Sequence, residues 1–384
     1  MNMKRLYVLL LAVIACIAAV EIISSVSKSM PSNDKTFSER MDSLMQSRYG
    51  ENEPGAAMII TKNDSVLAEG YYGIADMKTM SPITENTTFN IASVSKQFTV
   101  VGALILQQRG LFDYDELVGN HNPDYTADFW KQVTFRHLAS QSSGIPDSRD
   151  RSNRHNMIYA TDSMSKSYFP DVEKLKFAPG ECYDYVNPTF ILIADVIEKI
   201  SGLKFVDYQQ KEIFDCCEMA NTYYFNPNET PMNQSHGYVI DSNGTWVEKD
   251  YGEETFFATR PDGGIYSTAK DMMKWEKGLR NGTVLNDSLL NDAYQPRVSV
   301  TDSEWCDYQQ RANTYYAMGW FVDKTPDFPI KVYHTGDNGG YQAYVAKYPS
   351  CNVCITVLEN RNDKDRWSMA LEIDRLLKES RLID

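Results

Sequence analysis

The sequence predicts an α+β protein: an antiparallel β-sheet flanked by helices, with an inserted lobe that is mostly helical. Three observations predict it. Strand-patterned runs lie towards both ends of the chain, an amphipathic helix follows the first of them, and the loop-rich stretch between about Leu111 and Asn243 carries mainly helical signals. The 384 residues, 42% hydrophobic and 12% aromatic, suffice for a large core, and no low-complexity insert splits them into modules. One large domain over residues 37–384, with the helical lobe inserted at about 111–243, is the organisation expected.

The chain opens with Lys4 and Arg5 and then an apolar run from Leu6 to Val20, as in a bacterial export signal. Ile22 and Ile23 would extend that run into a membrane anchor. Val13, Ile14, Ala15 and Cys16 also resemble the box before a lipid-modified cysteine. Residues 1–23 are therefore read as an export signal or membrane anchor, with lipidation at Cys16 left open, and residues 24–36 as a polar linker. A periplasmic or membrane-anchored protein, monomeric by default, is expected.

Ala56 to Thr61 and Val66 to Tyr72 alternate around Lys62, Asn63 and Asp64, the pattern of an antiparallel hairpin. Phe98, Val101, Leu104 and Ile105 recur at helical spacing from Lys96 to Gln108, and Gly110 stops the helix. Within the lobe, Phe135 to Ala139 and Phe190 to Ile200 read as helices, the latter closed by Gly202. Ser267 to Asp271 reads as a helix start, with Ser267 as the cap. Tyr315 to Val322, Lys331 to His334, Tyr341 to Tyr348 and Val353 to Glu359 read as further strands, and Trp367 to Leu377 as a last amphipathic helix beside one from the N-terminal end.

A formal net charge of −14 disfavours any nucleic-acid partner, because phosphate neutralisation needs clustered Lys and Arg. The lone C-x-x-C, Cys351 with Cys354, has no second pair to complete a zinc site; packed thiols or one opportunistic disulfide are expected. There is no G-x-S-x-G, H-E-x-x-H, G-x-x-x-x-G-K or G-x-G-x-x-G, so neither a metal nor another cofactor is expected.

Serine followed three residues later by lysine can place an amine beside a hydroxyl on one helical turn. The chain holds six such tetrads, beginning at Ser25, Ser32, Ser93, Ser163, Ser201 and Ser267. Two lie in the linker, and Ser163, Ser201 and Ser267 fit a polar loop, a helix end and a helix cap. Ser93 differs: Phe89, Ile91 and Ala92 precede it, and a long helix begins at its side chain, where the helix dipole favours a nucleophile.

Thr88 to Thr99, around Ser93 and Lys96, resembles the active-site helix of the serine β-lactamase and penicillin-binding-protein family, in particular class C β-lactamases and their carboxypeptidase and esterase relatives. Phe177, Pro179, Gly180, Tyr183, Tyr185 and Asn187, followed by a helix, resemble that family's Y-x-N loop; Tyr224 and Asn226 repeat the spacing without the preceding turn. His334, Thr335 and Gly336 are similar to the K-T-G box, with histidine in place of lysine. His137 to Pro146 and Asp262 to Asp271 are also family-like.

The resemblance implies a serine hydrolase that works through an acyl-enzyme on an amide or ester: a D-amino-acid peptide such as cell-wall peptide, a small ester or a β-lactam. It makes Ser93, Lys96 and Tyr185 catalytic, gives Asn187 a substrate- or lysine-orienting role, and assigns oxyanion N–H groups to Ser93 and Asp337. Thr335 and Gly336 would line a strand edge for substrate, and His334, mostly neutral at pH 7, would capture a carboxylate less strongly than lysine. Asp147 and Asp262 read as turn formers rather than catalysts. The competing function is a non-catalytic penicillin-binding or sensor protein on the same fold.

Overall fold

The computed structural model describes residues 35–147, 161–226, 231, 233–249, 260–300 and 313–384. The N-terminal apolar run, Cys16 and Cys306 lie outside the described residues.

In chain order, α1 (Phe37–Arg48) precedes β1 (Ala56–Lys62), β2 (Ser65–Tyr72), β3 (Ile74–Asp76), β4 (Ser81–Pro82) and β5 (Phe89–Asn90), which leads to α2 (Ser95–Gln108). Next come α3 (Phe135–Ala139), α4 (Asp162–Ser167), α5 (Thr189–Ser201) and α6 (Phe205–Gln209), then β6 (Tyr223–Tyr224), β7 (Tyr238–Ile240) and β8 (Trp246–Glu248). After them follow α7 (Arg260–Gly263), β9 (Ile265–Ser267), α8 (Ala269–Arg280) and α9 (Asp287–Ala293). The remaining strands are β10 (Val298–Ser299), β11 (Thr314–Tyr316), β12 (Phe321–Asp323), β13 (Lys331–Asn338), β14 (Tyr341–Tyr348) and β15 (Val353–Glu359), closed by α10 (Arg366–Glu379).

Eight strands form one antiparallel sheet in the order β10-β11-β12-β13-β14-β15-β1-β2, so the N-terminal hairpin docks on the last strand. Asn63 and Asp64 both take positive φ in the β1–β2 turn, the geometry of a tight hairpin. Both sheet faces are covered, as alternation within the strands records. Ala57, Ile59, Val332, Ala343 and Leu358 face the core that contains α2, whereas Met58, Ile60, Tyr333, Tyr344 and Val357 face the core built on α1 and α10. Arg48 of α1 donates to the Asp365 carbonyl at 2.6 Å, joining α1 to the start of α10.

Three boundaries differ from expectation. The run Tyr315 to Val322 divides into β11 and β12, because Gly319 at φ +80 turns the chain and Ala317 N–H bonds back to Trp320 O at 2.8 Å. β13 continues past His334 to Asn338, since Gly339 at φ +55 reverses the chain so tightly that β14 pairs up to the turn. The cap of α8 is Thr268, whose Oγ1 accepts from Asp271 N; Ser267 ends β9 and shares a hydrogen bond with Thr222. The five described cysteines are free thiols.

Candidate active site

The position of Ser93, the candidate nucleophile, follows from a tight turn. β5 pairs with β9, and Ile91 N–H bonds to Ile265 O at 3.0 Å, fixing the approach to Ser93. Ala92 then takes φ +46, a left-handed conformation that L-residues avoid, and the Asn90 side chain holds it by accepting from Ala92 N at 2.8 Å. Ala92 to Val94 form a short 3-10 turn, and α2 begins only at Ser95. Ser93 thus sits just before the positive end of α2, partly exposed, with Lys96 in the first helical turn.

α2 is buried all round from Ser95 to Leu106, so each polar side chain on it needs a partner. Ile265 N–H donates to Ser95 Oγ at 3.2 Å, Thr99 Oγ1 donates to Pro261 O at 2.6 Å, and Trp275 Nε1 donates to Gln97 Oε1 at 3.2 Å. These contacts clamp α7 and β9 onto the helix. Lys96 Nζ, wholly buried, donates to Ser93 Oγ at 3.1 Å and to Asp262 O at 2.9 Å. The Asp262 carboxylate is 3.9 Å from the same nitrogen, and the rings of Tyr185 and Phe190 lie 4.8 and 5.4 Å from it.

Tyr185 is delivered by a loop strapped to a second one. Lys176 N–H donates to Gly144 O, Gly180 N–H to Ser142 O, Asp184 N–H to Gln141 O and Val186 N–H to Gln141 Oε1, all at 2.8 to 2.9 Å. Gly144, at φ +74, lies so close to the Phe177 carbonyl that a Cβ would stand 2.3 Å from its oxygen. Asn187 follows just before α5, and its Oδ1 is buried without a hydrogen-bond partner among the described residues. Tyr224 instead lies on β6 and packs against Phe205 and Phe214.

The third side is β13. β12 pairs with it only from Lys331 to Tyr333, so beyond Tyr333 that edge leaves its strand partner while β14 continues on the other side. Gly336 faces the turn that carries Ser93; a Cβ there would come within 2.2 Å of Ile91 O. Asp337 sends its carboxylate to Arg366 of α10, at 2.9 and 3.0 Å, and Arg366 also donates to Gly336 O at 3.1 Å. His334 is 1% exposed, and its ring lies 6.3 Å from that of Tyr185. Its Nδ1 donates to the Thr335 carbonyl at 2.6 Å, which leaves Nε2 to accept from the Tyr316 hydroxyl at 3.0 Å. Burial first, and the neighbouring Lys96 second, push the imidazole down to about 3, so it is neutral at physiological pH.

The structure therefore brings Ser93, Lys96 and Tyr185 together with the β13 segment from His334 to Asp337. Asp262 corrects the sequence reading. It lies in the single turn of α7, and it supplies both a carbonyl and a carboxylate to the lysine. Phe190, Tyr316 and Arg366 were not singled out either. Phe190 at the start of α5 could have been found from the Y-x-N landmark, whereas Tyr316 and Arg366 carry no local signal.

The family model described as Beta-lactamase matches residues 33–377. The chain is 24% identical over 346 residues to penicillin-binding protein 4* of Bacillus subtilis, covering 87% of this chain and 74% of that protein. It is 26% identical over 326 residues to a beta-lactamase of Yersinia enterocolitica, covering 76% and 78% of the two chains. Among solved structures, the fold is similar to D-amino acid amidase from Ochrobactrum anthropi SV3 with TM-score 0.72 and 20% identity, covering 90% of this chain and 98% of that one.

Proposed function

Because the chain belongs to the beta-lactamase family, we propose that it is a serine hydrolase that forms an acyl-enzyme on Ser93 from an amide or ester. The observation that carries this reading is the wholly buried Lys96 amine, 3.1 Å from Ser93 Oγ and beside the Tyr185 ring. Ser93 Oγ attacks the substrate carbonyl carbon as its proton passes to the neutral Lys96 amine. The carbonyl oxygen, now negative, is received by the N–H groups of Ser93 and Asp337. Tyr185 relays a proton to the departing nitrogen or oxygen, and water then cleaves the Ser93 ester to release the acid. Asn187 Oδ1, which has no hydrogen-bond partner among the described residues, suits a substrate N–H, and the β13 edge beyond Tyr333 suits an extended acyl chain.

The neutral His334, held between Thr335 and Tyr316, supplies no cation where lysine would sit. Esters, D-amino-acid amides and peptides are therefore the favoured substrates, ahead of β-lactams whose carboxylate needs a partner. Labelling by a fluorophosphonate or a fluorescent penicillin tests the mechanism; it should occur in the wild type and vanish in Ser93→Ala. Turnover measured across D-alanyl peptides, D-amino-acid amides, small esters and β-lactams tests the ranking, which efficient cephalosporin hydrolysis at neutral pH would overturn. Labelling without sustained product release would instead support a sensor. Export, with or without an N-terminal tether, is proposed from the apolar run Leu6 to Val20, and cell fractionation checks it.

A further inference from the structure

We propose that the Asp262 carboxylate sets the charge of Lys96, and with it the pH at which Ser93 becomes reactive, as a positioning residue one step from the reacting atoms. The inference rests on the hydrolase reading above. Asp262 is 2% exposed and Lys96 is wholly buried, so water does little to screen them from each other. The residue grips the amine twice: its carbonyl accepts from Nζ at 2.9 Å, and its Oδ2 lies 3.9 Å from the same nitrogen. The two contacts differ in consequence. A carbonyl accepts from an ammonium and from an amine, whereas a carboxylate favours the ammonium alone.

Among the described residues, further titratable groups lie around this pair. Tyr185, before α5, has its ring 4.8 Å from Nζ. His334 on β13 is neutral and adds no charge. Behind Asp262, Asp162 of α4 accepts from the Arg260 backbone N–H at 2.9 Å; burial, opposed by the Arg260 cation and reinforced by Asp262, raises its carboxyl to about 6.

Only the neutral amine can take the Ser93 proton. An opposite charge within about 4 to 6 Å typically raises a lysine's affinity for its proton by one or more pH units. Asp262 therefore holds Lys96 charged over the acidic and neutral range and delays the onset of acylation to higher pH. It is a restraint built into the site.

The test is Asp262→Asn, which removes the charge and leaves the backbone carbonyl in place. The rate of Ser93 acylation by p-nitrophenyl acetate and by a fluorophosphonate is followed from about pH 5 to about pH 10. The acidic limb of the profile should move down by about one pH unit or more, so that the variant outpaces the wild type at the acidic end. Asp262→Glu, which keeps the charge, should hold the limb near its original position, and Asp262→Ala carries the same expectation as the asparagine variant if that one does not fold. A limb that stays put, moves up, or disappears because a folded variant no longer acylates at any pH overturns the inference. Absence of Ser93 labelling in the wild type sinks the hydrolase reading itself, and the inference falls with it.

Discussion

At Gly336 the backbone of β13 comes so close to the nucleophile's turn that the missing side chain is part of the site's geometry. A methyl group there would lie 2.2 Å from Ile91 O and 3.0 Å from Ala92 Cβ. Both partners are backbone-anchored and cannot rotate away, so the turn or the strand has to move. Gly336→Ala should lower the acylation rate of Ser93 by about 100-fold, the scale set by ångström-sized misplacement of reacting groups. Single-turnover labelling against a stability control checks this; a variant that labels at the wild-type rate would show that the contact is not needed. Ala92 belongs to the same argument, because its φ of +46 is held by Asn90 and sets the direction in which Ser93 points.

Among elements, α10 does more than cover the sheet. Arg366, at its first residue, reaches through to the Gly336 carbonyl and takes the Asp337 carboxylate in a two-pronged grip. Asp337 is more than half exposed, so the ion pair contributes little stability by itself. Its contribution is geometric: it holds the β13 segment whose Asp337 N–H the proposed mechanism directs at the oxyanion. Arg366→Lys keeps the charge but not the planar fork. It should cut kcat by about 10-fold or more with KM little changed, as expected for an interaction made in the transition state. Steady-state kinetics on the preferred ester check it, and a change in KM alone would argue for a substrate-binding contact instead.

Across the whole molecule, residues 310 positions apart meet at Glu359. This carboxyl on β15 is fully buried, accepts from the Tyr49 hydroxyl at 2.6 Å beyond α1, and leaves Oε2 without a hydrogen-bond partner among the described residues. Burial raises it to about 7, although Arg366, Arg48 and Arg361 pull the other way. A carboxyl raised by folding stabilises the fold fully below its unfolded value of 4.5, and that contribution is lost as pH rises through about 7. The loss amounts to roughly 3 kcal/mol. His334, pushed down to about 3, acts with the opposite sign: its contribution is present above 6.5 and lost as pH falls. The comparison of wild type with Glu359→Gln isolates the first effect. The difference in urea-unfolding free energy should shift in favour of the variant between about pH 4.5 and about pH 7.5. A difference that stays constant would place Glu359 in its charged form throughout.

How much of this was legible follows from how local each signal is. Alternation and helical spacing gave β1, β14, β15, α3 and α5 almost to the residue, because burial on a fixed face imposes its period on neighbouring positions. Gly319 and Gly339 divided or lengthened strands against the apolar pattern, since turn geometry rather than hydropathy sets those ends.

Ser93 and Lys96 lie one helical turn apart, so their pairing is written in the chain itself. The Y-x-N and H-T-G landmarks could be named in sequence, but their position relative to Ser93 depends on how separate segments pack. What only the tertiary structure decided is the environment of those groups. Asp262 meets Lys96 across 166 positions, burial beside Lys96 keeps His334 neutral so that its Nε2 accepts from Tyr316, and Arg366 braces β13 through the Gly336 carbonyl. Charge state depends on what lies within a few ångströms in space, and sequence separation carries no information about that distance.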